Sequence, residues 1–317
     1  MNSKPVFFST EPYSYLAEEM LRGGLFTKGD LDRKFFPDGE RYLRVKVPVE
    51  GQHIVLLGGT IDDASTMELH DLASGLVEQG AATLSMVLLY FAYATMERAV
   101  KPGEVVTAKT RARLLSSIPH APFGNRIFLF DVHTEQMIHY FEGNIRKVHV
   151  SGKSLIEEIA RELAAGRPFV LASTDAGRAK SVTSLAKELG VEPAFAYKKR
   201  IDGATVESLG VNGPVEGNVV IMYDDMIRTG GSLMQAAKGY LDAGATDIYA
   251  IASHGVLPGN SLSKLEDSGL FRKIVVTNSH PRTQVVRSDL LEVRSVATLL
   301  RDAISRELRL STPIYGD

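Results

Sequence analysis

The sequence predicts an α/β fold built from two similar domains, each a mainly parallel sheet flanked by helices. Short apolar runs alternate with amphipathic helical patterns along the chain, which is typical of parallel strands joined by crossover helices. The run Leu72–Ala81 is similar to Ala236–Ala245, and each copy has an apolar run before and after it. We therefore predict one domain at 1–150 and another at 151–295, with a C-terminal helix and tail, 296–317, that can pack back on the first domain.

The predicted strands are short apolar runs between polar or glycine-containing segments, as expected for strands buried in a parallel sheet. In chain order they are Val6–Phe8, Ile54–Leu57, Thr83–Leu89, Arg126–Phe130, Pro168–Leu171, Val219–Tyr223, Ile248–Ser253 and Lys273–Thr277. The predicted helices carry apolar residues at spacings of three and four, which gives each an apolar face to cover a sheet. They are Met67–Gln79, Ser154–Leu163, Ala179–Leu189, Leu233–Ala243 and Val296–Leu308.

The composition argues against several classes of protein. The formal net charge of the 317 residues is −2, so we expect neither nucleic-acid binding nor attraction to an anionic membrane. No apolar stretch approaches the roughly 20 residues of a membrane span, and the N-terminal stretch lacks a long apolar core, so we expect a cytoplasmic protein. Because the chain has no cysteine, any metal must be bound by oxygen or imidazole.

The segment Val219–Leu233, VVIMYDDMIRTGGSL, carries the most specific pattern in the chain. It predicts a buried strand, a short loop and the start of a helix. Its glycines allow a ligand to approach the backbone, and the first N–H groups of the helix, with the hydroxyls of Thr229 and Ser232, can cradle a phosphate. Asp224 and Asp225 can hold ribose hydroxyls or a cation. The pattern predicts a ribose-phosphate pocket, although an acidic turn before a glycine-rich cap needs no ligand.

This run resembles the phosphoribosyl diphosphate-binding loop of type I phosphoribosyltransferases and of ribose-phosphate diphosphokinases. The resemblance implies two type I phosphoribosyltransferase-like domains. It also implies a ribose-phosphate site made of Asp224, Asp225, Arg228, Thr229, Gly230, Gly231 and Ser232. Similarity to the diphosphokinases extends from about residue 6 to about residue 300, whereas the transferases match the second half only.

The segment Arg33–Glu40, RKFFPDGE, combines aromatic residues with a Pro-Asp-Gly turn. By itself it predicts a solvated β-turn, but an aromatic ring with two nearby carboxylates also suits adenine. A closely similar segment of the diphosphokinases binds adenine across a subunit interface. The resemblance therefore implies that Phe36, Asp38 and Glu40 bind ATP and that the protein is a homo-oligomer, at least a dimer.

The loop Tyr90–Lys109 resembles the diphosphokinases' long loop after an N-domain strand, including its Pro-x-Glu and Thr-Ala-Lys elements. One departure concerns the family's Tyr-Ala-Arg-Gln-Asp, whose arginine and glutamine help to hold the nucleotide. Thr95 and Met96 stand at those two positions here. Arg98 is the candidate for restoring a positive charge beside the triphosphate of ATP.

Two further segments place polar residues after predicted strands, at the sheet edge where ligands bind in open α/β folds. The segment FDVHTEQ resembles the family's Asp-Leu-His-x-x-Gln, which implies that His133 binds ATP and its magnesium, with Asp131 in support. The segment STDAGR resembles Pro-Asp-x-Gly, which implies that Asp175 lies near a second metal and the ribose. An ordinary helix-capping role for Asp175 stays open, as does a bond from His133 to a phosphate or to metal-bound water.

A basic run, YKKR, follows a predicted strand at Pro193–Ala196. Basic runs are usually solvated surfaces. In the diphosphokinases, however, a Lys-x-Arg at this point lies on a flap that closes on the transferring phosphoryl group. The resemblance gives Lys198 and Arg200 that role, so the implied catalytic residues are Lys198, Arg200 and His133.

Together these segments imply a Mg²⁺-dependent ribose-phosphate diphosphokinase that uses ATP and ribose 5-phosphate. Three alternatives remain open at this point. A diphosphokinase of the same fold could act on a larger ribose-phosphate such as ADP-ribose, which the Thr95 and Met96 departure favours. A regulatory relative could lack catalysis. A phosphoribosyltransferase would need no ATP, but it would leave the segment Arg33–Glu40 unexplained.

Overall fold

A computed structural model describes residues 4–174, 176–200 and 207–309, with the backbone alone at 176, 198–200 and 207–209. The chain divides into two compact units. The first comprises residues up to Ser151 together with those from Ala297 onward, and the second runs from Gly152 to Val296. Within the described ranges, no helix is both long enough and apolar enough to cross a membrane.

The elements follow one another in the alternating order that the sequence predicts. The strands are β1 (Val6–Ser9), β2 (Thr27–Lys28), β3 (Leu31–Phe35), β4 (Arg41–Val45), β5 (His53–Gly58), β6 (Thr83–Leu88), β7 (Asn125–Phe130), β8 (Ile145–Val150), β9 (Phe169–Ser173), β10 (Pro193–Arg200), β11 (Glu207–Asn212), β12 (Val219–Ile227), β13 (Asp247–Gly255), β14 (Lys273–Thr277) and β15 (Leu291–Arg294). The α-helices are α1 (Ala17–Leu21), α2 (Asp63–Glu78), α3 (Thr107–Ser116), α4 (Lys153–Ala164), α5 (Ala179–Leu189), α6 (Gly231–Asp242), α7 (Ser261–Asp267) and α8 (Ala297–Leu308). Short 3₁₀ helices lie at Glu11–Leu16, Ala94–Met96, Glu135–Tyr140, Ala176–Arg178 and Pro281–Gln284.

The first unit contains a parallel sheet with the strand order β2-β1-β5-β6-β7-β8. Its central strands are buried along most of their length, which explains their continuous apolar runs. Helix α2 begins four residues before the predicted Met67, because Asp62 caps it by accepting a hydrogen bond from the backbone N–H of Ser65 at 2.7 Å. Helix α8 lies in this unit, where Arg301 donates to the backbone oxygen of Glu19 at 2.7 Å.

The second unit contains a sheet with the order β11-β10-β9-β12-β13-β14-β15, in which β11 pairs antiparallel and the other neighbours pair parallel. Alternate residues of β12 pack on opposite faces. Val220 and Met222 pack in one apolar cluster with Tyr240 of α6. Val219 and Ile221 pack in another cluster with residues of α4 and α5. The second unit therefore has helices on both faces of its sheet.

These elements confirm the predicted α/β class. Every strand and helix predicted from periodicity is present, with ends that differ by at most four residues. The prediction missed β2, β3, β4, β8, β11, β15, α1, α3 and α7. Most of these are edge strands or short helices. Strand β8, IRKVHV, is an example, since its exposed positions carry charge and interrupt the apolar run.

Strands β3 and β4 form a separate two-stranded sheet, and two of its arginines attach it to helix α2. The Nε of Arg33 donates to Oε1 of Glu68 at 3.1 Å, and the side chain of Glu68 is only 1% exposed. The same oxygen accepts the backbone N–H of Glu11 at 2.9 Å. Arg41 donates from Nη1 to the backbone oxygen of Ala64 at 3.0 Å. The direction in which this hairpin projects therefore depends on a buried ion pair.

We predict that Arg33→Met destabilises the first unit, because the carboxylate of Glu68 loses its buried cation. The expected decrease in the free energy of unfolding, measured with denaturant, is about 3–5 kcal/mol. Lys46→Met is the matched control, since it breaks an exposed ion pair with Asp30, 2.9 Å long, at the base of the same hairpin. That control should leave stability unchanged. Equal effects of the two substitutions would contradict the role given to Glu68.

Candidate active site

Strand β12 and the loop after it bring the most specific sequence pattern to the edge of the second sheet. The sequence predicts that this strand ends at Tyr223, with the two aspartates in the loop. That boundary was wrong. Strand β12 continues to Ile227, because pairing with β13 extends through Asp224 and Met226. Both Asp224 and Asp225 are therefore strand residues, and the connection to α6 consists of residues 228–230.

The turn into helix α6 requires glycine at Gly230. Its φ is +77°, and a Cβ built there would lie 2.8 Å from a side-chain carbon of Leu265. The N-cap residue of α6 is Gly230, which has no side chain to cap the first turn, and N–H groups at such a helix start can bind an anion. Thr229, Gly231 and Ser232 are exposed around this turn. The arrangement has the geometry of a phosphate cradle.

The two aspartates of β12 belong to a partly buried cluster with residues that follow the neighbouring strand β9. Oδ2 of Asp224 accepts the hydroxyl of Thr174 at 2.7 Å. The guanidinium of Arg178 reaches both carboxylates, with its Nε 3.3 Å from Oδ1 of Asp224 and its Nη2 against Oδ1 of Asp225. Burial and the nearby charge of Asp225 raise the pKa of Asp224 to about 7, although the bond from Thr174 and the charge of Arg178 act in the opposite direction.

Sequence reasoning missed Thr174 and Arg178. Both belong to the segment that suggested Asp175 as a ligand, but no pattern within that segment distinguishes their roles. The available signal was topological. The carboxyl ends of adjacent parallel strands share one sheet edge, so residues after β9 had to lie beside the end of β12.

The turn between β3 and β4 presents the three residues predicted to bind adenine. Phe36 is 43% exposed, and its ring packs edge-on against Tyr42 with centroids 5.8 Å apart. Oδ1 of Asp38 accepts the backbone N–H of Glu40 at 3.1 Å, which stabilises the turn. Phe36, Asp38 and Glu40 thus lie together on an exposed hairpin tip, although their role in binding stays a prediction.

The loop after β6 is held at Tyr93, whose φ is +61°. The hydroxyl of Tyr93 donates to Oδ1 of Asp63 at 3.3 Å. The guanidinium of Arg111 lies 5.3 Å from the ring centroid of Tyr93 and 2.5 Å from the same carboxylate. Thr95 and Met96, the two positions that depart from the family pattern, belong to the 3₁₀ helix Ala94–Met96, which directly follows Tyr93.

Arg98 lies just beyond that turn, and its side chain is 77% exposed. Its Nε is 3.4 Å from Oε1 of Glu97, whose side chain is mostly buried. The charge of Arg98 is thus accessible to solvent. Its contact with ATP stays a prediction.

Asp131 and His133 follow β7 as the sequence predicts. Asp131 is buried with a φ of +39°, and its backbone N–H donates to the oxygen of Val150 at 3.0 Å. His133 is partly buried two residues later. Among the described residues, no group of three or more histidine, aspartate or glutamate side chains is placed to hold a metal. Asp175, the other residue predicted to lie near a metal, is outside the described residues.

The predicted flap residues lie on β10, whose pairing with β11 carries it past the predicted end at Ala196. The backbone of Lys198 pairs with Leu209, and that of Arg200 pairs with Glu207. The side chains of Lys198 and Arg200 lie outside the described part of the chain. Their predicted catalytic role therefore stays a prediction.

Comparisons with known proteins agree with this architecture. A model of the N-terminal domain of ribose phosphate pyrophosphokinase matches residues 6–118, and a model of the phosphoribosyl synthetase-associated domain matches residues 174–311. The ribose-phosphate pyrophosphokinase 1 of Listeria innocua is 32% identical over 301 residues, which cover 94% of this chain and 92% of that protein. The ribose-phosphate pyrophosphokinase of Gloeobacter violaceus is 33% identical over 302 residues, which cover 94% of this chain and 89% of that protein.

A solved structure shows the same likeness at the level of the fold. The crystal structure of phosphoribosylpyrophosphate synthetase from Mycobacterium smegmatis aligns with a TM-score of 0.85 at 27% identity. The alignment covers 96% of this chain and 99% of that chain.

The mainly parallel sheets flanked by helices and the likeness to this solved structure define a protein with type I phosphoribosyltransferase-like folds. The similarity over nearly the whole chain defines it further: the chain belongs to the ribose-phosphate pyrophosphokinase family. This family consists of ATP-dependent diphosphotransferases of nucleotide biosynthesis, and such enzymes are generally metal-dependent.

The turn into α6 generates a first prediction for this site. Gly230→Ala should lower the free energy of unfolding by about 1–3 kcal/mol, because the added methyl meets Leu265 and the left-handed backbone is strained. Gly231→Ala is the matched control, since its Cβ would meet nothing closer than Thr229 Oγ1 at 3.9 Å. Thermal unfolding should show the control unchanged or slightly stabilised. A Gly230 variant as stable as the control would contradict the steric requirement.

The raised pKa of Asp224 generates a second prediction. The folded protein binds this proton more tightly than the unfolded chain, so ionisation of Asp224 lowers stability as the pH rises from about 4 to about 7. The Asp224→Asn variant does not lose stability in this way, because its amide does not ionise. Between about pH 4 and about pH 8, the stability of the variant relative to wild type should increase by about 2–4 kcal/mol. Denaturant unfolding at a series of pH values measures this, and a pH-independent difference would refute the raised pKa.

Proposed function

We propose that the protein is a ribose-phosphate diphosphokinase that converts ATP and ribose 5-phosphate to AMP and 5-phosphoribosyl 1-diphosphate. The anomeric oxygen forms a bond to the β-phosphorus of ATP and loses its proton, while the bond from that phosphorus to the oxygen of AMP breaks. The observation that supports this most directly is 32% identity to a ribose-phosphate pyrophosphokinase across 94% of the chain. Such a transfer needs positioning and charge stabilisation more than covalent help from the protein.

In this proposal the second unit binds the acceptor sugar. The first turn of α6, with Thr229 and Ser232, binds the 5-phosphate through N–H and hydroxyl donors. Arg228 adds a positive charge beside the same loop, where it is exposed. Asp224 and Asp225 accept hydrogen bonds from the ribose hydroxyls and so orient the anomeric oxygen.

The first unit binds ATP in this proposal. Phe36 stacks on the adenine, and Asp38 and Glu40 accept hydrogen bonds from its exocyclic amine. The exposed hairpin tip supports recognition of a nucleotide held by a neighbouring copy, so we propose a homo-oligomer, at least a dimer. Arg98 supplies charge beside the triphosphate.

Magnesium is the proposed cofactor, with Asp131, His133 and Asp175 as its proposed ligands. The buried carboxylate of Asp131 fits a hard cation that prefers oxygen, whereas the imidazole of His133 better fits a hydrogen bond to a phosphate or to metal-bound water. When bound, such a cation withdraws charge from the phosphate oxygens. Lys198 and Arg200 complete the proposed machinery by closing over the transferring group. We propose a cytoplasmic location.

A second candidate is a diphosphokinase that acts on a larger ribose-phosphate such as ADP-ribose. The replacement of the family's arginine and glutamine by Thr95 and Met96 favours it, since this change alters the predicted nucleotide contacts. A regulatory relative without catalysis remains the non-enzymatic alternative.

The test is to incubate the protein with Mg²⁺ and ATP, adding either ribose 5-phosphate or ADP-ribose, and to measure AMP. We expect AMP with ribose 5-phosphate at a rate at least about tenfold above that with ADP-ribose, because the cradle accommodates a terminal phosphate. Faster release with ADP-ribose would establish the second candidate. Absence of AMP with both acceptors, while ATP still binds in calorimetry, would indicate the regulatory alternative.

A further inference from the structure

Arg178 contacts both aspartates of β12 with its side chain. It ends the 3₁₀ helix Ala176–Arg178, directly before α5, and its side chain is 17% exposed. Nε lies 3.3 Å from Oδ1 of Asp224, and Nη2 contacts Oδ1 of Asp225. A single planar guanidinium thus bridges two consecutive carboxylates, which fixes their orientation relative to each other.

The hydrogen bonds around Asp224 show how much of this carboxylate is already used. Oδ1 accepts the backbone N–H of Asp225 at 2.9 Å in addition to the Nε of Arg178, and Oδ2 accepts the hydroxyl of Thr174 at 2.7 Å. A carboxylate has about four lone-pair positions, and these contacts occupy most of them. The protein therefore holds Asp224 as a rigid acceptor with little freedom to rotate.

The charges around Asp224 also point to Arg178 as the positioning residue. Asp224 and Asp225 are adjacent carboxylates in a partly buried place, where mutual repulsion and loss of water favour protonation of one of them. Among the residues that the structure describes, the groups that face Asp224 are Asp225 on its own strand, Thr174 after β9 and Arg178 before α5. Within that set, Arg178 is the cation that favours the ionised form. An aspartate that became protonated would turn an acceptor into a donor and would match the ribose hydroxyls poorly.

We infer that Arg178 is a positioning residue of the acceptor site: it holds Asp224 and Asp225 in the orientation that receives the hydroxyls of the ribose-phosphate. The inference rests on the proposed function, because it assumes that these aspartates bind the sugar. It adds a residue that the similarity to known loops does not supply. The guanidinium acts through the two carboxylates and contacts no reacting atom.

The test compares Arg178→Gln with wild type by measuring KM and kcat for both substrates and the Kd of ribose 5-phosphate by calorimetry. At about pH 7 the variant should show a KM and a Kd for ribose 5-phosphate raised about tenfold or more, with the KM for ATP changed less than about twofold. Toward about pH 9 the defect should shrink, because the carboxyls ionise without the guanidinium. Purely structural damage would not give this substrate and pH dependence.

Two further variants refine the result. Arg178→Lys keeps the charge but cannot bridge both carboxylates, so it should restore most of the pH profile and leave a smaller increase in the Kd of ribose 5-phosphate. Arg272→Gln is the matched control, because it removes an arginine paired with Asp247 at 2.6 Å at the start of β13. That control should bind both substrates as wild type does.

The outcomes that overturn the inference are distinct from those that overturn the proposed function. A Kd for ribose 5-phosphate within about twofold of wild type in Arg178→Gln would refute the positioning role, and a lower Kd would show that Arg178 competes with the sugar. If Arg178→Gln lost affinity for both substrates equally and also had a lower Tm, Arg178 would have only a structural role. Asp225→Asn serves as the reference. If that variant binds ribose 5-phosphate as wild type does, the aspartates do not bind the sugar, and the acceptor site of the proposed function is wrong. AMP formation by wild type tests the proposed reaction separately.

Discussion

The parallel pairing of β12 with β9 on one side and β13 on the other determines the geometry of the second unit. A strand hydrogen-bonded on both edges cannot shift its register without breaking the pairing with both neighbours. This constraint places Asp224 and Asp225 beside the segment that follows β9. It also places the left-handed turn at Gly230 directly after the charged cluster. The phosphate cradle and the carboxylates therefore lie a few residues apart at one sheet edge.

The first unit uses a different means of positioning. Its hairpin of β3 and β4 is not part of the large sheet, so backbone pairing between sheets does not set its direction. The buried pair of Arg33 and Glu68 and the bond from Arg41 to helix α2 do so instead. The exposed tip of the hairpin carries Phe36 and suits recognition of a planar nucleobase. The base of the hairpin is anchored in a buried environment. Stability at the base and exposure at the tip are compatible because they lie at opposite ends of the hairpin.

Arginine contacts carboxylates in both units, but the burial of these contacts differs. Arg33 and Arg178 bind partly or fully buried carboxylates, where loss of the cation leaves a charge without compensation. Arg98 is largely exposed beside Glu97, where solvent screens the interaction. The loop that departs from the family pattern at Thr95 and Met96 is held elsewhere, through Tyr93, Asp63 and Arg111. Side chains outside the two altered positions thus contribute to the support of this loop.

The sequence alone determined the α/β class, the buried strands and helices, and the glycine turn that begins α6, because these depend on local periodicity and on glycine at a helix start. It missed the edge strands, whose alternating charges hide their pairing. It also ended β12 too early, since Asp224 and Asp225 do not look like strand residues. Only the tertiary structure brought Thr174 and Arg178 to those aspartates, because contacts between neighbouring strands depend on the order of strands in the sheet. Sequence patterns along one segment do not contain that order.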